Sequence, residues 1–394
     1  MNKEKIIEIL NEWNYWNREF RKSYKREIYE QEIARKYETE EIIFLKGVRR
    51  SGKSTILTNH IKNLLSKGVD RNRILFVNLE DPRFAPYLGL ELLEEIKKSY
   101  LFYLNPKEKP HIFLDEIQNI DGFEKWLLKE YELKTAFLYA TGSNSKLLSK
   151  EIGSSLSGRY LDILVYPLSF KEFLSFKNFD VVDRFDYISK RLEIERLFEE
   201  YIEYGGFPKV VLIDDRDLKN AELKSYFDSI LLRDIVARYK LDNFEVLEKL
   251  SILLLSNIAN LISNNKLKNI LNVSYETIDK YIEYLKNAFL VYTVSKFDWS
   301  VKKQLVAPKK IYSIDTGLSR RISFEVGKRR GDLLENLVFL ELKRRYENIY
   351  YYKSSNGYEV DFLIKEREKV KRLIQVSLSL EDEKTKKREI RALL

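Results

Sequence analysis

Residues 42–46, Ile-Ile-Phe-Leu-Lys, run directly into Gly47-Val-Arg-Arg-Ser-Gly-Lys-Ser-Thr55. This apolar run broken by a G-x-x-x-x-G-K-[ST] loop restricts the fold more than any other stretch of the chain. A short continuous apolar run reads as a strand buried on both faces, which needs helices above and below a parallel sheet. After the loop, Ile56, Leu57, His60, Ile61, Leu64 and Leu65 recur at helical spacing. Strand, glycine-rich turn and helix in that order make a phosphate cradle. Gly47 and Gly52 allow torsions and close approach that a side chain would forbid, successive N–H groups turn inward, and the helix adds its positive dipole end. The candidate nucleotide-binding residues are therefore Gly47, Val48, Arg49, Arg50, Ser51, Gly52, Lys53, Ser54 and Thr55. Lys53 is expected to reach the terminal phosphates and Ser54 to ligate Mg²⁺, while Thr55 supports the loop or approaches the inner phosphate.

A second apolar run, His111-Ile-Phe-Leu-Asp-Glu116, ends in two acids. Following the loop at this separation, they supply what phosphoryl transfer needs: Asp115 to hold Mg²⁺, through water, and Glu116 to orient and polarise the attacking water. A third run, Ala136 to Asn144, ends in small polar residues, of which Thr141, Ser143 or Asn144 would contact the γ-phosphate or the water. Asn78, at the end of a further strand, is either a turn residue or a restraint on Glu116.

The chain has 394 residues, enough for two to four domains. It has no cysteine and two histidines, His60 and His111, so disulfides, thiolate metal sites and histidine-rich zinc sites are excluded. The remaining metal chemistry is oxygen-ligated, which suits Mg²⁺. No run approaches a membrane span and the N-terminus lacks a signal-peptide core, so a cytoplasmic protein with no membrane partner is expected. The net charge of +9 is concentrated. Residues 301–330 hold nine basic residues (Lys302, Lys303, Lys309, Lys310, Arg320, Arg321, Lys328, Arg329 and Arg330) against Asp315 and Glu325, as expected of a segment that meets a polyanion such as DNA.

Residues 1–36 read as a helical arm, with Trp13, Trp16, Phe20 and Tyr24 near helical spacing. Residues 37–166 alternate strands with helices and form the α/β nucleotide-binding core. Residues 167–240 are helical, broken at Tyr204-Gly-Gly-Phe-Pro208, and suit a lid. Residues 241–310 order as helix, helix, a helix capped by Ser274, and two strands, the order of a winged helix. The third helix carries Glu276, Asp279 and Glu283 against Lys280 and Lys286, so the basic segment beyond it is the better DNA candidate.

Residues 311–394 hold Glu335 on a helix, then an acidic strand Glu359-Val-Asp361, then Gln375-Val-Ser377. This layout matches PD-(D/E)XK nucleases, with Glu335 and Asp361 as the acids. Gln375 and Ser377 stand where such a site needs an acid and a lysine, so little charge remains to organise a metal and the nuclease reads as vestigial.

Together these segments resemble the archaeal and bacterial AAA+ ATPases whose loop reads G-x-R-R-x-G-K-[ST] and whose C-terminus carries a degenerate nuclease-like domain. Leu156-Ser-Gly-Arg-Tyr160, Pro167 to Phe173, Arg233-Asp234 and Lys310 to Gly317 add to the resemblance. It implies a P-loop AAA+ core with a parallel sheet, a helical lid, a winged helix and a restriction-nuclease-like α/β domain, with ATP and Mg²⁺ as cofactors. It also implies assembly into a homo-oligomer such as a hexameric ring, with Arg159 completing the site, in a neighbouring subunit or its own, and Arg233 a weaker second. The family's last helix usually continues, so the final domain is expected to be incomplete at Leu394. The expected function is ATP-driven remodelling or translocation of DNA, branched DNA included. The alternatives are a nucleotide-state switch that assembles with a protein partner, or an ATP-gated nuclease.

Overall fold

A computed structural model describes residues 1–20, 22–144, 156–323, 330–354 and 356–393. The chain divides into two compact units, Met1–Tyr166 and Pro167–Leu394. Among the described residues no helix is long and apolar enough to cross a membrane.

The first unit is a five-stranded parallel sheet, β1 (Ile42–Lys46), β2 (Ile74–Asn78), β3 (His111–Asp115), β4 (Phe137–Gly142) and β5 (Tyr160–Leu164), in the order β2-β3-β4-β1-β5. Alternate residues of each strand face opposite cores. Ile42, Phe44, Leu75, Val77, Ile112 and Leu114 pack on one face with α1 (Lys3–Trp13), α4 (Leu90–Leu104) and α5 (Phe123–Glu132). Ile43, Leu45, Phe76, Phe113 and Tyr139 pack on the other with α2 (Glu27–Tyr37) and α3 (Lys53–Ser66). Each fully buried side chain of this size contributes roughly 1.5–3 kcal/mol, so the central strands anchor the unit. The mixed α/β class with a parallel core is the one expected from the sequence.

The N-terminal arm is two helices rather than one. Between them Asn14 donates to the Phe76 carbonyl and accepts from the Phe76 N–H, at 2.8 and 2.7 Å, and so satisfies the open edge of β2 as a neighbouring strand would. Trp16 donates to the Ile74 carbonyl and Trp13 to Asp81. The aromatic spacing read as a helix is that of a strap along the sheet edge.

The second unit begins with helices α6 (Phe170–Phe176), α7 (Arg184–Ser189), α8 (Arg191–Tyr204), α9 (Pro208–Leu212) and α10 (Arg216–Ser229), the last running on through a π-helical segment, Ile230–Val236. Then come α11 (Phe244–Leu255), β6 (Leu261–Ile262), α12 (Asn264–Leu271), α13 (Tyr275–Asn287), β7 (Val291–Val294), α14 (Val301–Val306) and β8 (Lys309–Ser313), with an antiparallel sheet ordered β6-β8-β7. After α15 (Thr316–Ile322) and α16 (Arg330–Lys343), strands β9 (Ile349–Lys353), β10 (Glu359–Glu366) and β11 (Lys369–Ile374) form a second antiparallel sheet, followed by α17 (Glu383–Leu393). The boundary expected at residue 310 falls inside β8. Val294 and Tyr312 share one core with Phe339, Tyr351 and Phe362, so the two sheets are not separately cored.

Candidate nucleotide site

β1 carries the loop out of the sheet at its carboxyl edge, and β4 separates it from β3. The reversal of strand order beside β1 opens the crevice where ligands settle in such sheets. Gly47 crosses tightly over β5: a Cβ there would lie 2.2 Å from the Val165 carbonyl oxygen, so no other residue fits. Arg50 takes φ +68° and Gly52, which precedes α3, takes φ +99°. These left-handed torsions turn the loop's N–H groups toward a common centre.

Lys53 is buried and donates to the Gly47 and Val48 carbonyls at 3.1 and 3.3 Å. Val48 and Ser51 are buried under the loop, while Arg50 and Thr55 are exposed. Arg49 is nearly buried and pairs with Glu80 at 2.8 Å. Arg26, which sequence reasoning missed, donates from Nη1 to the Ser51 and Tyr166 carbonyls at 2.9 Å each. It braces the loop against β5, and only the folded arm brings it there.

At the end of β3 the Thr141 hydroxyl donates to Asp115 at 2.6 Å and accepts from the Glu116 N–H at 2.9 Å. Ser54, at the start of α3, lies close enough to the Asp115 carboxyl to help hold it charged, so the two residues read as metal ligands are neighbours. Burial, then the charge of Glu116, pushes the Asp115 carboxyl up to about 6, against these two hydroxyls and Lys53. Glu116 takes φ +57°, a strained torsion for a residue with a side chain, of the kind found where geometry serves function. Burial opposes its charge, but Lys53, Arg49 and hydrogen bonds from Gln118 and Ser143 outweigh it and hold the carboxyl below its usual range.

Thr141 is thus spent on the acid pair, and Ser143 and Asn144 lie buried just beyond it. Asn78 is a turn residue: its side chain accepts the Glu80 N–H at 3.0 Å, and Gln118 rather than Asn78 touches Glu116. Arg159 lies elsewhere. Its carbonyl accepts the Ile42 N–H, which puts it at the amino edge of the sheet, opposite the loop, and its guanidinium pairs with Glu132 at 2.8 Å. Because β5 runs parallel to β1, a residue preceding β5 cannot reach its own chain's phosphate cradle.

Mg²⁺ fits the donor set here, since the Ser54 hydroxyl and the buried Asp115 carboxylate, close neighbours, offer hard oxygen ligands. The loop, with its inward N–H groups and Lys53, fits a polyphosphate.

In the second unit the residues read as a vestigial nuclease come together around a cation. The Lys310 ammonium lies 3.1 Å from Glu335, 2.8 Å from Glu359 and 3.1 Å from Asp361, and Tyr312 donates to Glu335 at 2.7 Å. Burial first, against the pull of Lys310, pushes Glu335 up to about 7. Gln375 accepts the Asp361 N–H and donates to Glu389. The charge that the sequence reading found missing at Ser377 arrives from β8, the central strand of β6-β8-β7, which has no spacing signal relative to Asp361. No group of three or more acids and histidines among the described residues is disposed to hold a metal. The basic stretch is correspondingly reduced: Lys310 is internal, Arg320 pairs with Glu203 and Arg330 with Glu199. Glu325, Lys328 and Arg329 lie outside the described residues.

Residues 39–174 match the AAA domain family, and residues 195–326 and 330–394 match two domains of unknown function (DUF8612 and DUF4143). An uncharacterized protein of Methanocaldococcus jannaschii is 39% identical over 378 residues, 93% of this chain and 81% of its own length. An uncharacterized protein of Haemophilus influenzae is 34% identical over 353 residues, 88% of this chain and 84% of its own. Among solved structures, the Walker-type ATPase of Pyrococcus abyssi aligns with 76% of this chain and 96% of itself, at TM-score 0.49 and 15% identity.

Proposed function

This chain belongs to one family with its M. jannaschii and H. influenzae relatives and carries an AAA domain over residues 39–174, and on that premise we propose that it is a Mg²⁺-dependent ATPase. The observation that carries the reading is the meeting of the loop with the acid pair, in which Lys53 lies 3.6 Å from Glu116 and Thr141 holds Asp115 beside it at 2.6 Å. When bound, Mg²⁺ would supply a Lewis acid that offsets charge on the β- and γ-phosphate oxygens. Lys53 and the loop N–H groups would hold the phosphates, Ser54 and Asp115 would hold the metal, and Thr141 keeps Asp115 in place. Glu116 orients the attacking water and draws on its proton. The reaction belongs in the cytoplasm, where ATP and Mg²⁺ are supplied.

Coupling to DNA is the finer form of this reading. It draws support from the exposed Lys302 and Lys303 on α14, and from the arrangement of residues 244–313, in which α11, α12 and α13 accompany the three-stranded sheet β6-β8-β7, which suits a winged helix. A homo-oligomeric ring would bring Arg159 of one subunit to the site of another, with breakage of its pair to Glu132 as the cost. A nucleotide-state switch acting on a protein partner is favoured by a separate observation, the neutralisation of Lys310, Arg320 and Arg330 within the chain. The nuclease reading has no such support, because an ammonium already takes the cation's place among the acids.

ATP turnover measured with and without Mg²⁺, and with single-stranded, duplex and four-way DNA across a salt series, tests these forms. DNA stimulation that falls steeply with salt supports the motor; Mg²⁺-dependent turnover indifferent to DNA supports the switch. No turnover under any condition sinks the ATPase reading.

A further inference from the structure

We propose that Gln118 is the positioning residue of the site: its amide grips one oxygen of Glu116 so that the other faces the loop. The proposal rests on the ATPase reading for its consequence, though not for its geometry. Gln118 lies in the 3₁₀ turn Ile117–Asn119 that follows the acid pair. Its Nε2 donates to Glu116 Oε2 and, at 3.2 Å, to the Ser143 hydroxyl at the end of β4. The other oxygen, Oε1, lies 3.6 Å from the Lys53 ammonium. The two carboxylate oxygens are thus held by different groups on different elements.

The orientation of the amide follows from the chemistry of its partner. An ionised carboxylate only accepts, so the NH₂ end must face it, and the reversed amide would set two acceptors against each other. The bare Cα of Gly142 leaves room for the amide's own oxygen; a Cβ there would stand 3.1 Å from it.

Lys53 has a reason to move and Gln118 has none. Phosphates on the loop draw the ammonium away from the Gly47 and Val48 carbonyls and from Glu116, which frees Oε1. The grip on Oε2 persists, because its anchor is Ser143, just past β4, rather than the loop. Glu116 then keeps one oxygen aimed at the phosphates instead of rotating freely about its terminal torsion, the alignment a general base needs.

Gln118→Ala and Gln118→Glu, the latter of the same size but without the donor, are the tests. Both are expected to lower kcat roughly 10- to 100-fold while leaving KM and ADP affinity within about threefold of the parent. A readout independent of turnover is the crystal structure of nucleotide-free Gln118→Ala, in which Glu116 is expected to leave Ser143 and close on Lys53. If either variant turns over ATP at the parent rate, or if Glu116 keeps its place in Gln118→Ala, the inference is overturned. Glu116→Gln run alongside separates the two ideas. Parent-level turnover in Glu116→Gln, or an inactive parent, defeats the ATPase reading, and the crystal structure still decides the role of Gln118.

Discussion

The Lys53 ammonium and the Glu116 carboxylate lie 3.6 Å apart with both side chains buried, so the loop and the acid pair are electrostatically joined. Two groups with separate tasks in phosphoryl transfer thereby stabilise each other, and the loss of either is felt by both.

Lys53→Ala removes the loop's charge and leaves Glu116 buried without its nearest cation. ATP affinity measured calorimetrically with Mg²⁺ is expected to fall at least about tenfold, and the melting temperature is expected to drop, because a carboxylate stripped of its partner costs on the order of 1–3 kcal/mol. Parent affinity in this variant would mean that the phosphates bind elsewhere.

Arg26→Ala tests the brace beneath the loop. Two charge-assisted bonds to the Ser51 and Tyr166 carbonyls are lost, which is expected to cost about 2 kcal/mol in denaturant unfolding and to weaken nucleotide binding, although Arg26 is placed to touch carbonyls rather than phosphate. An unchanged unfolding midpoint would show that the arm does not support the loop.

His60 and His111 give the stability of the first unit a definite pH dependence. Burial first, then nearby cations, lowers His60 to about 4 and His111 to about 3, and neither His60 nitrogen has a hydrogen-bond partner. The unfolded chain takes up these protons near pH 6.5 and the folded chain does not, so the unfolded state binds more protons over that range. Stability is therefore lost as pH falls from about 6.5 toward 4, by roughly 3 kcal/mol for His60 alone. His60→Leu is expected to flatten that limb relative to the parent in urea unfolding at pH 5 and pH 7; an equal slope in both proteins would count against it.

Lys310→Met leaves Glu335, Glu359 and Asp361 around an apolar group. Removal of one partner from a buried ionic cluster costs about 3–5 kcal/mol, and that loss is expected in the unfolding of the second unit. A change below about 1 kcal/mol would show that the ammonium is not what holds the acids together.

The site was most legible where a local pattern dictates local chemistry. The loop, Asp115 and Glu116 are adjacent in sequence to the strands that carry them, so an apolar run followed by the right residue types suffices. Contacts made by the tertiary fold left no such trace. Arg26 reaches Ser51 across 25 residues, and Lys310 reaches Asp361 across 51. The Tyr204-Gly-Gly-Phe-Pro208 stretch read as a turn, which it is, but its reason lies far off: Asp315 accepts the Gly206 N–H at 2.7 Å, and a Cβ on Gly206 would meet the Leu168 carbonyl at 2.3 Å. The place of Arg159 was hidden for a related reason, because sequence gives a residue's neighbours along a strand without giving the edge of the sheet on which it emerges.

ATP turnover by Glu116→Gln, compared with the parent in Mg²⁺ and with ATP affinity determined on the same samples, bears most directly on the mechanism. The carboxylate beside Lys53 is expected to be dispensable for binding and required for turnover, so affinity should stay within about threefold while kcat falls at least roughly 100-fold. A variant that hydrolyses ATP at the parent rate would contradict the assignment of Glu116, and with it the catalytic reading of the site.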